Sequence, residues 1–159
     1  YLDDFILCEA FNVESDDTMA LIHRELTNKY QDNLISYIFT SSIRANQLQD
    51  DKTTIYNYKK EKLITKNDIL DKSNILFNRQ KFLFFLILKG WSIYGIEPVF
   101  DHLTDMRIQQ LYTDNEVLQY ECQDIVKAEQ LRKNYLIFDY NSIPKKLAFN
   151  FRRNNLDVL

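Results

Sequence analysis

Residues 135–151 read Tyr-Leu-Ile-Phe-Asp-Tyr-Asn-Ser-Ile-Pro-Lys-Lys-Leu-Ala-Phe-Asn-Phe, and whether they form a hairpin decides the architecture. Tyr135 to Phe138 is a short apolar run that reads as a strand. Leu147, Phe149 and Phe151 alternate with Ala148, Asn150 and Arg152, a period-two pattern with one apolar face. Asn141 to Lys146, with Pro144 inside it, supplies the tip of a hairpin. A hairpin behind helices is the closing element of a winged helix.

Upstream, the segments read as the helices such a unit needs. Lys81 to Lys89 forms a buried helix that stops at Gly90, a residue suited to the position after a helix. Pro98 suits the first turn of a second helix carrying Val99, Phe100, Leu103, Met106 and Ile108. Thr113 and Glu116 make a capping-box pattern ahead of Val117, Leu118, Cys122 and Ile125. That third helix is expected to run to Lys133 and to stop at Asn134.

The first half repeats the plan. Asp16, Asp17 and Thr18 open a helix with Met19, Ile22, Leu26 and Tyr30 on one face. Leu34, Ile35, Ile38, Phe39 and Ile43 continue helical spacing to Ala45. Asp50 and Asp51 start a third helix with Ile55, Tyr58 and Lys59-Lys60-Glu61-Lys62, passing into a strand at Leu63-Ile64-Thr65. A polar loop from Asn67 to Asn74 precedes a second strand, Ile75-Leu76-Phe77. The expected fold class is α+β, mostly α. It comprises two tandem winged-helix domains, 1–78 and 79–159, each of three helices and a β-hairpin, with a break near Lys72 to Gln80.

Composition narrows the function classes. Hydrophobic residues make up 45% of the chain, with 11 Phe and 10 Tyr, enough for a packed core. Two Gly and two Pro leave little room for glycine-rich phosphate loops. The formal charge of −3 argues against a general grip on a phosphate backbone and leaves only weak or local contact. Cys8 and Cys122 are expected as reduced thiols. The chain opens at Tyr1 rather than Met and shows no signal peptide, so it reads as a fragment. The longest apolar run, Phe82 to Leu88, falls far short of the ~20 residues of a membrane span.

Catalytic and metal chemistry find little support in the residue pattern. The two His and two Cys have no paired spacing for zinc. His23 reads as a solvated helix residue, and His102 beside Asp101 lacks a nucleophile in a glycine-flanked elbow. The acidic pairs Asp3-Asp4, Asp16-Asp17 and Asp50-Asp51 fall at expected helix starts, where acids stabilise exposed N–H groups. The expectation is therefore a binding module that is not an enzyme, with no catalytic residues, metal or cofactor. Lys59, Lys60, Lys62 and Lys66, near Tyr56 and Tyr58, form one candidate nucleic-acid contact. Lys145, Lys146, Arg152 and Arg153 form a second. The competing reading of both is a solvated charged face. Tyr112, Tyr120 and Tyr140 are the candidate partner-binding residues, because tyrosine is favoured at protein interfaces.

Two stretches carry a family resemblance: Asp51 to Lys66, ending in Tyr58-Lys59-Lys60-Glu61-Lys62-Leu63-Ile64, and Lys81-Phe82-Leu83-Phe84-Phe85-Leu86 with Ser92-Ile93-Tyr94-Gly95-Ile96. In these the chain resembles the C-terminal region of the Stn subunit of the telomere-capping CST complex. That region is two winged helices, the first similar to one in the middle subunit of replication protein A. The resemblance implies a nuclear, telomere-associated adaptor for protein–protein contacts, with weak contact to single-stranded DNA. Its implied partners are the large single-strand-binding subunit of CST and DNA polymerase α–primase. The small Ten subunit would be reached only through an upstream OB-fold. Two alternatives remain open: a viral Bcl-2-like helical bundle binding a death-domain helix, and a winged-helix transcription regulator.

Overall fold

The computed structural model describes residues 7, 8, 10, 12–65 and 79–155. They divide into two compact units, the first drawn from the residues up to Leu63 and from Ile143 onward, the second from Ile64 to Ser142.

In the first unit, helix α1 spans Ser15–Tyr30 and carries Asp16 and Asp17 in its first turn, where the N-terminal dipole favours acids. Ala20 and Leu21 face inward. The helix ends at Gln31, which takes a positive φ of 47° and whose N–H donates to the Thr27 carbonyl. Strand β1, Ser36–Phe39, follows. It pairs in parallel with β2, Thr53–Asn57, in the register Ser36↔Thr53 through Phe39↔Tyr56. Residues 40–52 make the crossover that a parallel pair requires, with a buried 3-10 turn at Arg44–Leu48. Strand β3, Lys62–Ile64, lies beside β2, so the sheet order is β1-β2-β3.

Two expected helices are therefore strands. Leu34 to Phe39 satisfies helical spacing, yet Ile35, Tyr37, Ile38, Phe39 and Thr40 are β-branched or aromatic side chains that fit a pleated surface better. Thr53-Thr54-Ile55-Tyr56 has the same character, with Thr53 and Ile55 buried on one face. Asp50 does not start a helix. Its Oδ1 accepts from the N–H groups of Lys52 (2.9 Å) and Thr53 (2.8 Å), turning the chain into β2.

In the second unit, α2 spans Arg79–Lys89 and stops at Gly90, as its sequence pattern indicates. Gly90 has φ 64°, and a Cβ there would lie 2.5 Å from the carbonyl oxygens of Ile96 and Glu97. Only glycine lets the loop fold back so closely, with Trp91 and Ile96 bridged. Helix α3, Asp105–Thr113, begins behind Thr104, whose hydroxyl accepts from the Arg107 N–H at 3.2 Å. Pro98 thus lies in the loop, not in a helical first turn. The expected single helix beyond Thr113 is two: α4, Asn115–Glu121, capped by Asp114, and α5, Ile125–Phe138, capped by Asp124. Asp124 supplies a cap at a position that the apolar spacing alone reads through.

Asn134 does not stop a helix. It is fully buried inside α5, and its Nδ2 donates to the carbonyls of Ile87 and Glu97, both at 2.8 Å. Leu88, Val99, Ile108 and Leu111 form the core of this unit, with Phe84, Phe85 and Leu131 against it.

The expected terminal hairpin is absent, and the two tandem winged helices fall with it. Tyr135 to Phe138 is the last turn of α5, and Tyr140–Ser142 is a 3-10 turn. Residues 147–151 belong to α6, Lys145–Asn155, in the first unit. Phe151 and Asn155, four apart, are buried and Leu147 is half-buried, while Phe149 is 64% exposed. A coincidence of alternating residues conceals this helical face. Arg152 secures α6 to α1 by a two-point ion pair with Glu25 at 2.8 and 3.0 Å. Lys66, the loop 67–74 and the strand expected at Ile75–Phe77 lie outside the described residues.

Candidate functional site

Because β1 and β2 are parallel, the chain leaves both at the same edge of the sheet. In α/β folds this carboxyl edge is where ligands are received. Here the loop after β1 meets the head of α1. The Thr40 N–H donates to the Tyr56 carbonyl at 3.0 Å, closing the strand pair. The Ser42 N–H then donates to the Thr40 hydroxyl (3.0 Å) and the Arg44 N–H to the Ser42 oxygen (3.2 Å), which holds the loop in one shape.

Three carboxylates stand across from this loop: Glu14, Asp16 and Asp17. The Ser42 hydroxyl donates to the Asp16 carboxylate. Arg44 reaches Asp17 at 2.7 Å and Glu14 at 3.4 Å. The Arg44 and Asp17 side chains are only 12% and 22% exposed, so this pair is shielded from solvent, whereas Glu14 is open. Capping explains acids at the head of a helix, but not an arginine and a serine brought to them from a loop 26 to 30 positions away.

The turn after β2 lies at the same edge. Asn57 Oδ1 accepts from the N–H groups of Lys59 (3.1 Å) and Lys60 (3.0 Å), presenting both side chains to solvent. Tyr58 is exposed, and its hydroxyl receives the Ser41 hydroxyl at 3.0 Å. One edge therefore carries a charge-paired acidic cluster, an aromatic ring and two lysines.

The other candidates fall in several places. Lys62 is on β3 and exposed. Lys145, Lys146 and Arg153 are exposed on α6. The guanidinium of Arg152 is held on Glu25, whose hydrogen bond and negative charge raise its pKa above the usual arginine value. Tyr112 packs edge-on to Phe84, with ring centroids 5.5 Å apart, and Tyr140 is buried. Of the three candidate tyrosines only Tyr120, 71% exposed, presents a full ring to solvent. His23 is not simply solvated, since its Nε2 lies 3.0 Å from the Thr53 hydroxyl. Cys8 and Cys122 are free thiols, and burial pushes both pKa values up.

Glu14, Ser42 and Arg44 escape the sequence reading. The signal that could have found the acids is Glu14-Ser15-Asp16-Asp17, three carboxylates where a cap needs one. No residue near Arg44 in sequence marks its role. Among the described residues no three His, Cys, Asp or Glu side chains are grouped so as to hold a metal ion. Nor is any described helix long and apolar enough to cross a membrane.

No protein-family model matches the chain, and no curated protein matches it in sequence. Solved structures do. The T5 protein co-crystallised with metal ions is 16% identical, with a TM-score of 0.70 over 98% of this chain and 63% of its own. A T5 5′-exonuclease mutant is 15% identical, with a TM-score of 0.67 over 91% of this chain and 66% of its own. Bacteriophage T5 flap endonuclease, in a pseudo-enzyme–product complex with DNA and metal ions, is 13% identical, with a TM-score of 0.65 over 89% of this chain and 58% of its own. The chain thus has the fold of these nucleases and spans less than two thirds of their length.

This likeness overturns the resemblance to the Stn subunit, and with it the reading as a telomere-capping adaptor. The expectation of a module that is not an enzyme also falls, since the proteins sharing the fold are described as an exonuclease and a flap endonuclease. The physical reason is the parallel strand pair. A winged helix has none, and a parallel pair creates the carboxyl edge on which α/β enzymes build their sites.

Proposed function

We propose that the chain is the DNA-engaging part of a 5′-nuclease-type protein, receiving the phosphodiester backbone at the edge where β1 and β2 end. The observation that carries this reading is the match over 98% of the chain to the T5 protein, whose fold is also seen in complex with DNA. The residues at the edge suit the task. Lys59 and Lys60 project from a hydrogen-bonded turn and offer two ammonium groups to phosphates. The exposed ring of Tyr58 offers a face on which an unpaired base can stack, a contact worth about 1–3 kcal/mol.

Overall charge does not oppose this. At −3 the chain repels a polyanion at long range, so binding depends on the local basic turn, and the exposed Tyr58 ring beside it favours DNA with an unpaired end or flap. The test is fluorescence anisotropy of labelled 5′-flap DNA, single-stranded DNA and blunt duplex at several salt concentrations in EDTA. Flap DNA is expected to bind most tightly. The K59A/K60A double variant should weaken binding and lower the salt slope by about 2, roughly one per lost phosphate contact. Absence of binding to every one of these DNAs at low salt would overturn the reading.

A further inference from the structure

Solved proteins of this fold are described with metal ions, zinc among them. Glu14, Asp16 and Asp17 are the carboxylates at the carboxyl edge of this chain that could receive a divalent cation. They do not fit one as they stand. A divalent ion takes oxygen ligands at about 2.0–2.6 Å, drawn together around one centre. Here Arg44 lies between two of the three candidate donors, 2.7 Å from Asp17 and 3.4 Å from Glu14, while the third, Asp16, accepts the Ser42 hydroxyl. A divalent cation would enter beside a guanidinium that is always charged.

Arg44 is also poorly placed to swing away. It opens a 3-10 turn whose next four residues, Ala45 to Leu48, are all buried, and its side chain is mostly covered. Its N–H is held by Ser42, the residue that binds Asp16. One short loop therefore supplies both the positive charge and the hydroxyl that the acidic cluster requires.

From this geometry we infer that Arg44 takes the place of a cation: an internal guanidinium, not a divalent ion, pairs with Asp17 and Glu14 at the head of α1 and offsets one of the cluster's three negative charges. The pairing of Asp17 and Glu14 at this edge is then independent of metal. The inference relies on the nuclease-fold reading only for the expectation of a metal. It is tested by metal binding alone, so it can fail while DNA binding succeeds, and the reverse.

The experiment is a calorimetric titration of Mn²⁺ into the full chain and into its D17N, R44A, R44Q and D17N/R44A variants, with circular dichroism to establish folding. The unsubstituted chain should show no Mn²⁺ site that D17N removes. R44A or R44Q should bind Mn²⁺ at least about tenfold more tightly than the unsubstituted chain, and D17N/R44A should lose that gain. Mn²⁺ binding by the unsubstituted chain that D17N abolishes would overturn the inference, whether or not the arginine variants fold. Folded R44A and R44Q with no gain in Mn²⁺ affinity would overturn it equally.

Discussion

Replacing Phe151 and Phe149 separately by alanine distinguishes helix from strand in α6 by an energy difference that the burial pattern sets. In a strand these two side chains share one face and would be buried or exposed together. In a helix they project about 200° apart, two steps of roughly 100°. The structure leaves Phe151 2% exposed and Phe149 64% exposed. Truncating a buried Phe removes its transfer energy and opens a cavity, for a cost of about 3–5 kcal/mol. The upper half of that range suits Phe151, whose side chain is enclosed. Truncating Phe149 removes little buried area, and alanine is the better helix former, so the change should stay within about 0.5 kcal/mol of zero. Urea unfolding followed by circular dichroism reads both, provided the slope m is unchanged between variants. Comparable losses in the two variants would refute the helical assignment and return the segment to a strand. A loss below about 1 kcal/mol for F151A would refute the packing of α6 in its unit.

Asn134→Ala removes the amide that serves the Ile87 and Glu97 carbonyls; Gln130 still donates to Glu97, so the loss is that of one buried acceptor, about 1–3 kcal/mol, and the urea midpoint should fall. An unchanged midpoint would show that the loop after α2 is held by other contacts. Gly90→Ala places a methyl group 2.5 Å from two backbone oxygens at a φ of 64°, so a lower melting temperature is expected, while Gly95→Ala meets open space and carries only the backbone strain of its positive φ. Differential scanning calorimetry that ranks Gly95→Ala as the worse of the two would contradict the close approach. The Tyr135 phenol is held above its ordinary pKa of 10.0, first by its hydrogen bond to Asp139 and then by that carboxylate's charge. Its stabilising contribution is fully present below the ordinary tyrosine pKa and is lost as pH rises through the raised folded value, so Y135F should flatten the alkaline limb of a stability–pH curve. An identical limb in Y135F would remove this contribution.

The sequence makes α1 and α2 legible because each has a chemical boundary beside it: Asp16 and Asp17 at one start, Gly90 at one stop. It hides the sheet for a physical reason. Leu34, Ile35, Ile38 and Phe39 satisfy helical spacing and strand propensity together, and only pairing with Thr53–Asn57, a non-local event, decides between them. The same ambiguity acts in reverse in α6, where Leu147, Phe149 and Phe151 alternate although the buried residues are Phe151 and Asn155, four apart. Short apolar runs underdetermine their period, and two such runs at opposite ends of the chain turned one fold class into another. The basic turn was visible as Lys59-Lys60, but its setting was not, because a recognition helix and a turn after a parallel strand can share the same lysines.

The acidic cluster shows why charge is harder to read than apolarity. Each of Glu14, Asp16 and Asp17 has a sufficient local explanation in the dipole of α1, so nothing in the sequence calls for a further partner. The partner comes from beyond β1, and its approach depends on the strand direction. Were β1 to run the other way, Ser42 and Arg44 would emerge at the opposite edge and the carboxylates would face water. The pairing of Arg44 with Asp17 is thus a consequence of the parallel topology and not of any pattern in the residues. A one-residue slip of β1 against β2 would carry Ser42 away from Asp16 along with it. Sheet register and charge balance at this edge therefore stand or fall together, which ties the fold's least legible element to its most chemically loaded site.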